Sequence, residues 1–175
     1  MAAGRLWNND AGHWFVEIAE IFRARDEIDF AGGKMLPVWE VEPPEWVEPL
    51  KDGVISWRDY GEAEWTYGEN TPMLTGGHAI FKRSVFDEIG LFAEGVGATG
   101  KNLMSCEDDI LYDKLLAAEK RGIYSPRLVV YHFVPKYRLS KSYYRQWCFG
   151  PGASWDLMDK FYKTFEGARI FGVPR

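Results

Sequence analysis

Cysteine is scarce in this 175-residue chain: Cys106 and Cys148 stand far apart and make no metal-type pair. That spacing does not suit a cysteine-based metal site. No stretch approaches the roughly 18 apolar residues that a membrane-spanning helix needs. The opening "MAAGRLWNNDAGHW" lacks a basic region followed by an apolar one, so a secretory leader is not expected. With few thiols and no leader, the expected setting is reduced and cytoplasmic. A basic excess is missing as well. Lys and Arg number 21 against 26 Asp and Glu, a net charge of −5, and nucleic acid is not an expected partner. Contact with a membrane surface stays open. Neither internal repeats nor low-complexity tracts occur.

What is present suits one domain over residues 1–175, with 151–175 as a C-terminal helical extension. Hydrophobic residues make up 46%, enough for a core, and aromatics 16%, with 8 Trp. Strand and helix patterns alternate, which predicts an α/β fold. A helix capped by Asn8, Asn9 or Asp10 is expected to bury Trp14, Phe15, Ile18, Ala19 and Phe22. The strand "IDFAGGKMLP" follows it. The stretch 38–75 reads as irregular but aromatic-rich, with "GVISW" as its one strand candidate. Then come a strand over Gly77–Lys82 and a short helix with Ser84 as N-cap and Gly90 as its stop. A helix from about 106 to 121 is expected to end at Gly122. "IYSPRLVVYHF" reads as two strands broken by Pro126, and the C-terminal part as two helices hinged at "GPG".

Several short stretches bear on chemistry. "GVGATGKN" nearly spells a phosphate-cradling loop, but Asn102 stands where the motif needs Ser or Thr, and no strand precedes it. A surface loop is the expectation there. "MSCEDDILYDKLL" places Glu107, Asp108 and Asp109 at the head of an apolar helix. Ser105 and Asp108 have capping-box spacing, and acids in a first turn suit the helix dipole. Leu111, Leu115 and Ala118 define a buried stripe, which puts Glu107 near its centre, Asp108 at its edge and Asp109 outward. A buried carboxylate is costly unless it is paired or used. Pattern alone leaves cap and chemistry both open. His132 ends a strand, and a lone histidine there is compatible with a structural role or a ligand role. His78 follows a glycine pair that permits either a tight bend or close approach of a ligand. Arg145 sits among aromatics in "YYRQW", where it can meet an anionic phosphate or stack on Tyr144 or Trp147.

Taken in order, "DFAGGKMLPVWEVEPPEWV", "MLTGGHAIFKRSVFDEIGLF", "CEDDILYDKLL" and "RGIYSPRLVVYHFV" resemble the second half of a family 2 glycosyltransferase of GT-A fold. The resemblance runs from about Trp14 to Trp155. It implies a partial GT-A, Rossmann-like domain without the N-terminal nucleotide-binding half, and inverting transfer of a sugar from a nucleotide-sugar donor to a glycan or lipid-linked acceptor. Polysaccharide biosynthesis at the inner face of a membrane would be the setting. It implies Asp108 as catalytic base, supported by Glu107. Gly76, Gly77 and His78 would line the acceptor and donor cleft, Arg145 and Trp147 would meet substrate, and His132 would help bind a metal. A divalent metal, Mg²⁺ or Mn²⁺, is expected in the complete enzyme, with most of its ligands absent from this chain. The family's Asp-x-Asp has no counterpart before Trp14, so the chain alone is expected to be inactive or nearly so. The alternative from the residues is a non-catalytic carbohydrate-binding module built on Trp39, Trp57 and Trp65.

Overall fold

The computed structural model describes residues 6–7, 11–50, 53–97, 103, 105–162, 169–170 and 173–174. Its centre is a pair of parallel strands, β2 (Phe30–Trp39) and β5 (Gly122–Val134). A short β1 (Leu6–Trp7) pairs antiparallel with β5, and β4 (Ala79–Phe81) pairs antiparallel with β2. The path is therefore β1-β5-β2-β4, with β3 (Trp65–Thr66) added to the start of β5. This is a mixed α/β fold with a five-stranded mixed sheet.

The sheet is covered on both faces. Helix α1 (Ala11–Ala24) brings Ile21 against Ile28, Ala31, Ile123 and Leu128. On the other face α2 (Arg83–Ile89), α3 (Glu107–Ala117) and the segment around β3 enclose Phe30, Tyr67, Leu74, Val85, Tyr112, Leu115 and Tyr124. A third cluster at the far end of β5 joins Val47, Val54, Ile55, Val134, Leu139 and Tyr144 of α4 (Lys141–Tyr162). Sandwiching of this kind explains why "FAGGKM" has no polar alternation: residues 30–35 are all buried.

Several expectations from the sequence are corrected. The stripe on α1 is rotated: Phe15 is 64% exposed, while Ile21 is fully buried and Trp14, Ile18 and Phe22 pack beside it. The Asn8–Asp10 cap lies outside the described residues. "GVISW" is no strand, because Ser56 adopts φ 55° and turns the chain, sending Val54 and Ile55 into the third cluster. The strand read as Gly77–Lys82 begins at Ala79, after a single 3-10 turn over Gly76–His78. Helix α2 starts at Arg83 with Lys82 at the cap position, so Ser84 does not cap it, whereas Gly90 does stop it at φ 79°. Helix α3 ends before Gly122: Glu119 takes φ 52°, and Gly122 already belongs to β5.

Pro126 does not split β5. The register on β2 jumps from Gly33↔Ser125 to Lys34↔Val129, so residues 126–128 bulge out of the ladder. Pro126 thus sits where no ladder N–H is required. The "GPG" stretch does not hinge two helices; α4 runs through it as one helix. Past its end at Tyr162, β6 (Arg169–Ile170) pairs with β7 (Val173–Pro174), so the C-terminal stretch is not wholly helical.

Candidate functional site

Helix α3 begins without a side-chain cap. Its N-cap residue is Cys106, and Ser105 and Asp108 do not form the capping box that their spacing suggests. Ser105 N–H instead donates to Ser154 Oγ, 3.1 Å away on α4. Ser154 is fully buried, and at Gly150, one turn earlier on α4, a Cβ would collide with the Leu103 carbonyl. Helix α4 therefore braces the start of α3.

Freed from capping, the Asp108 carboxylate reaches across the fold. Oδ2 accepts a hydrogen bond from the Gly76 N–H at 2.8 Å. Burial lifts the carboxyl to about 6; the Gly76 bond works against that, and the nearby charges of Glu107 and Asp109 add to it. Beside it lies a small dent of about 10 Å³, room for about one water or one hydroxyl, lined by Leu74, Ala79, Phe81, Phe92 and Leu111. Glu107 lies alongside. Its Oε2 is buried without a hydrogen-bond partner, and its carboxyl rests where a Cβ on Gly97 would come within 2.9 Å of Cδ. Asp109 is not the outward surface acid its helical position suggests: it is half-buried, and burial raises its carboxyl. Ala118 is exposed, leaving Ile110, Leu111, Tyr112 and Leu115 as the buried face. Burial holds the Cys106 thiol up near 12, which makes it unreactive.

The other candidates divide into separate groups. Gly77 and His78 adjoin Gly76, but His78 is buried and both ring nitrogens are engaged. Nδ1 lies 3.0 Å from the Lys34 carbonyl, and Nε2 accepts from Trp14 Nε1 at 3.2 Å. The partners fix the Nδ1–H tautomer, and burial lowers the imidazole to about 4. His78 offers the site a shape rather than a free polar atom. His132 pairs in register with Pro37, near the far end of β2. Its Nδ1 meets the Ile55 carbonyl at 2.9 Å, and Arg138 Nη1 stands 3.3 Å from Nε2. A guanidinium before the only remaining nitrogen does not suit a cation, so His132 does not fit the metal role. Among the described residues, no group of three or more His, Cys, Asp or Glu is placed to hold a metal ion.

On α4, Arg145 is exposed and Trp147 lies over Gly53 in an apolar groove of about 240 Å³ shared with Leu50, Val54 and Tyr144. Trp39 and Trp57 meet edge to face at 6.1 Å within the third cluster, and Trp65 stacks on Tyr124 at 4.9 Å, so all three are engaged in packing. The residues 98–102 of the phosphate-loop candidate lie outside the described residues. A cavity of about 470 Å³ is remote from the acids: it opens at the starts of β2 and β5, beside Arg25, Glu64, Trp65 and Arg121. Helix α3, some 16 Å long by its 11 residues, runs toward that end from Asp108.

Comparison of the chain with models of protein families, with characterised proteins and with solved structures gave no match. No helix among the described residues is long and apolar enough to cross a membrane.

Three residues around these groups carry no sequence signal. Ser154 was one small residue in a polar helix, and Trp14 a stripe position. Lys34 is one residue within a strand pattern. It is buried beneath two acids, Asp59 Oδ1 at 3.2 Å and Glu62 Oε1 at 2.5 Å, which hold its ammonium above the ordinary lysine value.

Proposed function

We propose that this chain is the acceptor-binding half of an inverting GT-A glycosyltransferase, with Asp108 as the general base. The observation that carries the reading is the state of Asp108. It is released from capping, half-buried, bonded to a backbone N–H, set beside a dent with room for one hydroxyl, and held near 6, where it is charged at neutral pH yet still basic. The start of α3 lies toward the carboxyl end of β5, the side on which open α/β sheets bind ligands.

In this reading a hydroxyl of the acceptor sits against Asp108. The carboxylate takes its proton as the oxygen attacks the anomeric carbon of the donor. The bond from that carbon to the diphosphate oxygen breaks, configuration inverts, and nucleoside diphosphate leaves with the electron pair. The orphaned Glu107 oxygen is suited to accept a second hydroxyl of the acceptor, since buried polar atoms rarely stay unpaired. A nucleotide sugar and a glycan or lipid-linked acceptor are the implied partners, at the cytoplasmic face of a membrane. No step is assigned to a metal, because His132 does not fit one.

The test is release of nucleoside diphosphate over a panel of nucleotide sugars and acceptors, with the chain alone and joined to a donor-binding β/α unit. Asp108→Asn is expected to lower the rate at least ~100-fold. Equal turnover by the variant, or no transfer by either protein across the panel, counts against the assignment.

A further inference from the structure

The residue that aims Asp108 is not on its own helix. Gly76 lies 32 positions earlier in sequence, in the turn before β4, and presents its N–H to Oδ2. The same glycine also leaves room for the other oxygen. A Cβ at this position would fall inside bonding reach of Oδ1 and 2.6 Å from the carboxyl carbon. The helix is braced through Ser154, so the clash is relieved by turning the carboxylate rather than by moving α3. Gly97 repeats the arrangement on Glu107, where a Cβ would meet all three atoms of the carboxyl group between 2.9 and 3.2 Å. Each acid of the pair thus lies flat against a bare stretch of backbone.

We infer that Gly76 is the positioning residue of Asp108: its N–H fixes one carboxylate oxygen, its missing side chain admits the other, and any larger residue turns the carboxylate away from the dent. The neighbouring glycine has a different task. A Cβ on Gly77 would meet the flexible end of Met35, at 2.6 Å from Cε, and leave Asp108 untouched. The turn is held independently by His78, anchored to the Lys34 carbonyl and to Trp14, so a substitution at Gly76 acts on the carboxylate rather than on the path of the chain.

The inference rests on Asp108 as base only for its catalytic meaning; the geometry is tested on this chain directly. Among the described residues, the charged neighbours of the Asp108 carboxyl are Glu107 and Asp109, both on α3. In nuclear magnetic resonance titrations, the Gly76 amide proton should follow the Asp108 midpoint in the native protein and stay flat in Asp108→Asn. The Asp108 carboxyl carbon should titrate at a higher pH in Gly76→Ala, since a bond to the charged form is lost. Gly77→Ala should leave that midpoint in place. Where transfer is measured, Gly76→Ala should lower kcat by about 100-fold with little change in KM, the effect of misplacing a reacting group. A Gly76 amide indifferent to Asp108, or an Asp108 midpoint unchanged or lower in Gly76→Ala, overturns the inference. Should Gly76→Ala not fold, the native and Asp108→Asn amide titrations decide alone. Coupled titration with undiminished transfer by Asp108→Asn would instead leave the positioning intact and remove the catalytic reading.

Discussion

At the scale of single residues, two buried titratable groups oppose each other below neutral pH. Asp108 is held at about 6 in the fold, above an ordinary carboxyl. Between pH 4 and 6 the native state therefore binds more protons at this site than the unfolded chain, and stability falls as pH rises through that window. His78, held near 4, does the reverse: the unfolded chain binds the extra proton, and stability is lost as pH falls from 6.5 toward 4. Protonation of Nε2 would also break the bond from Trp14. Asp108→Asn should consequently stabilise the protein by about 1–3 kcal/mol at pH 7.5, with little gain at pH 4, and steepen the acid side of the stability curve. Urea unfolding of both proteins at the two pH values checks this. A variant no more stable at pH 7.5 would mean that the carboxylate carries no burial strain.

At the scale of elements, the bulge on β5 explains three features of sequence together. Pro126 occupies the part that pairs with nothing, Leu128 turns fully inward, and Gly33 faces it on β2. A Cβ on Gly33 would strike the Leu128 carbonyl, which is backbone and cannot swing aside. Arg127, at the tip, places Nη1 2.9 Å from Oε2 of the buried Glu17, which ties α1 to the bulge. Gly33→Ala should cost at least about 2 kcal/mol in urea unfolding, while Pro126→Ala should change it by less than ~1 kcal/mol. Comparable effects of the two substitutions would contradict the described register. None of this was legible beforehand. Proline ordinarily interrupts a strand, and only the partner strand shows that here it interrupts a ladder without ending it. In α1 the helix itself was legible but its rotation was not. Phe15 and Ile21 are equally apolar, and which one turns inward depends on the sheet beneath.

At the scale of the whole molecule, β2 and β5 form the paired centre of the sheet, and the segment from Arg58 to Thr66 is a strap laid across it. Three acids of the strap meet cations of the body: Asp59 and Glu62 with Lys34, and Glu64 with Arg25 at 2.5 Å. Glu64 also accepts from Ser125, and Trp65 stacks on Tyr124. The strap has little apolar burial beyond Tyr60 and Trp65, which pack on Tyr124, so its opening should be local. In hydrogen exchange, Lys34→Ala should speed amides 59–64 by about tenfold and leave the centre of β2 and β5 unchanged. Uniform acceleration would show that strap and sheet open as one unit.

The sequence alone determined the alternation of helix and strand, the existence of α3, and the placing of three acids at its head. Those are matters of local periodicity, which a chain carries in its own spacing. It could not decide whether Asp108 caps the helix, because Ser105 and Asp108 have the spacing of a cap. Tertiary structure decided that. Ser105 is drawn to Ser154 on α4, and Asp108 to Gly76 near β4, so the local cap loses to two hydrogen bonds between elements far apart in sequence. A carboxylate so released is lifted by burial, and that shift arises from its surroundings, which no spacing of residues records.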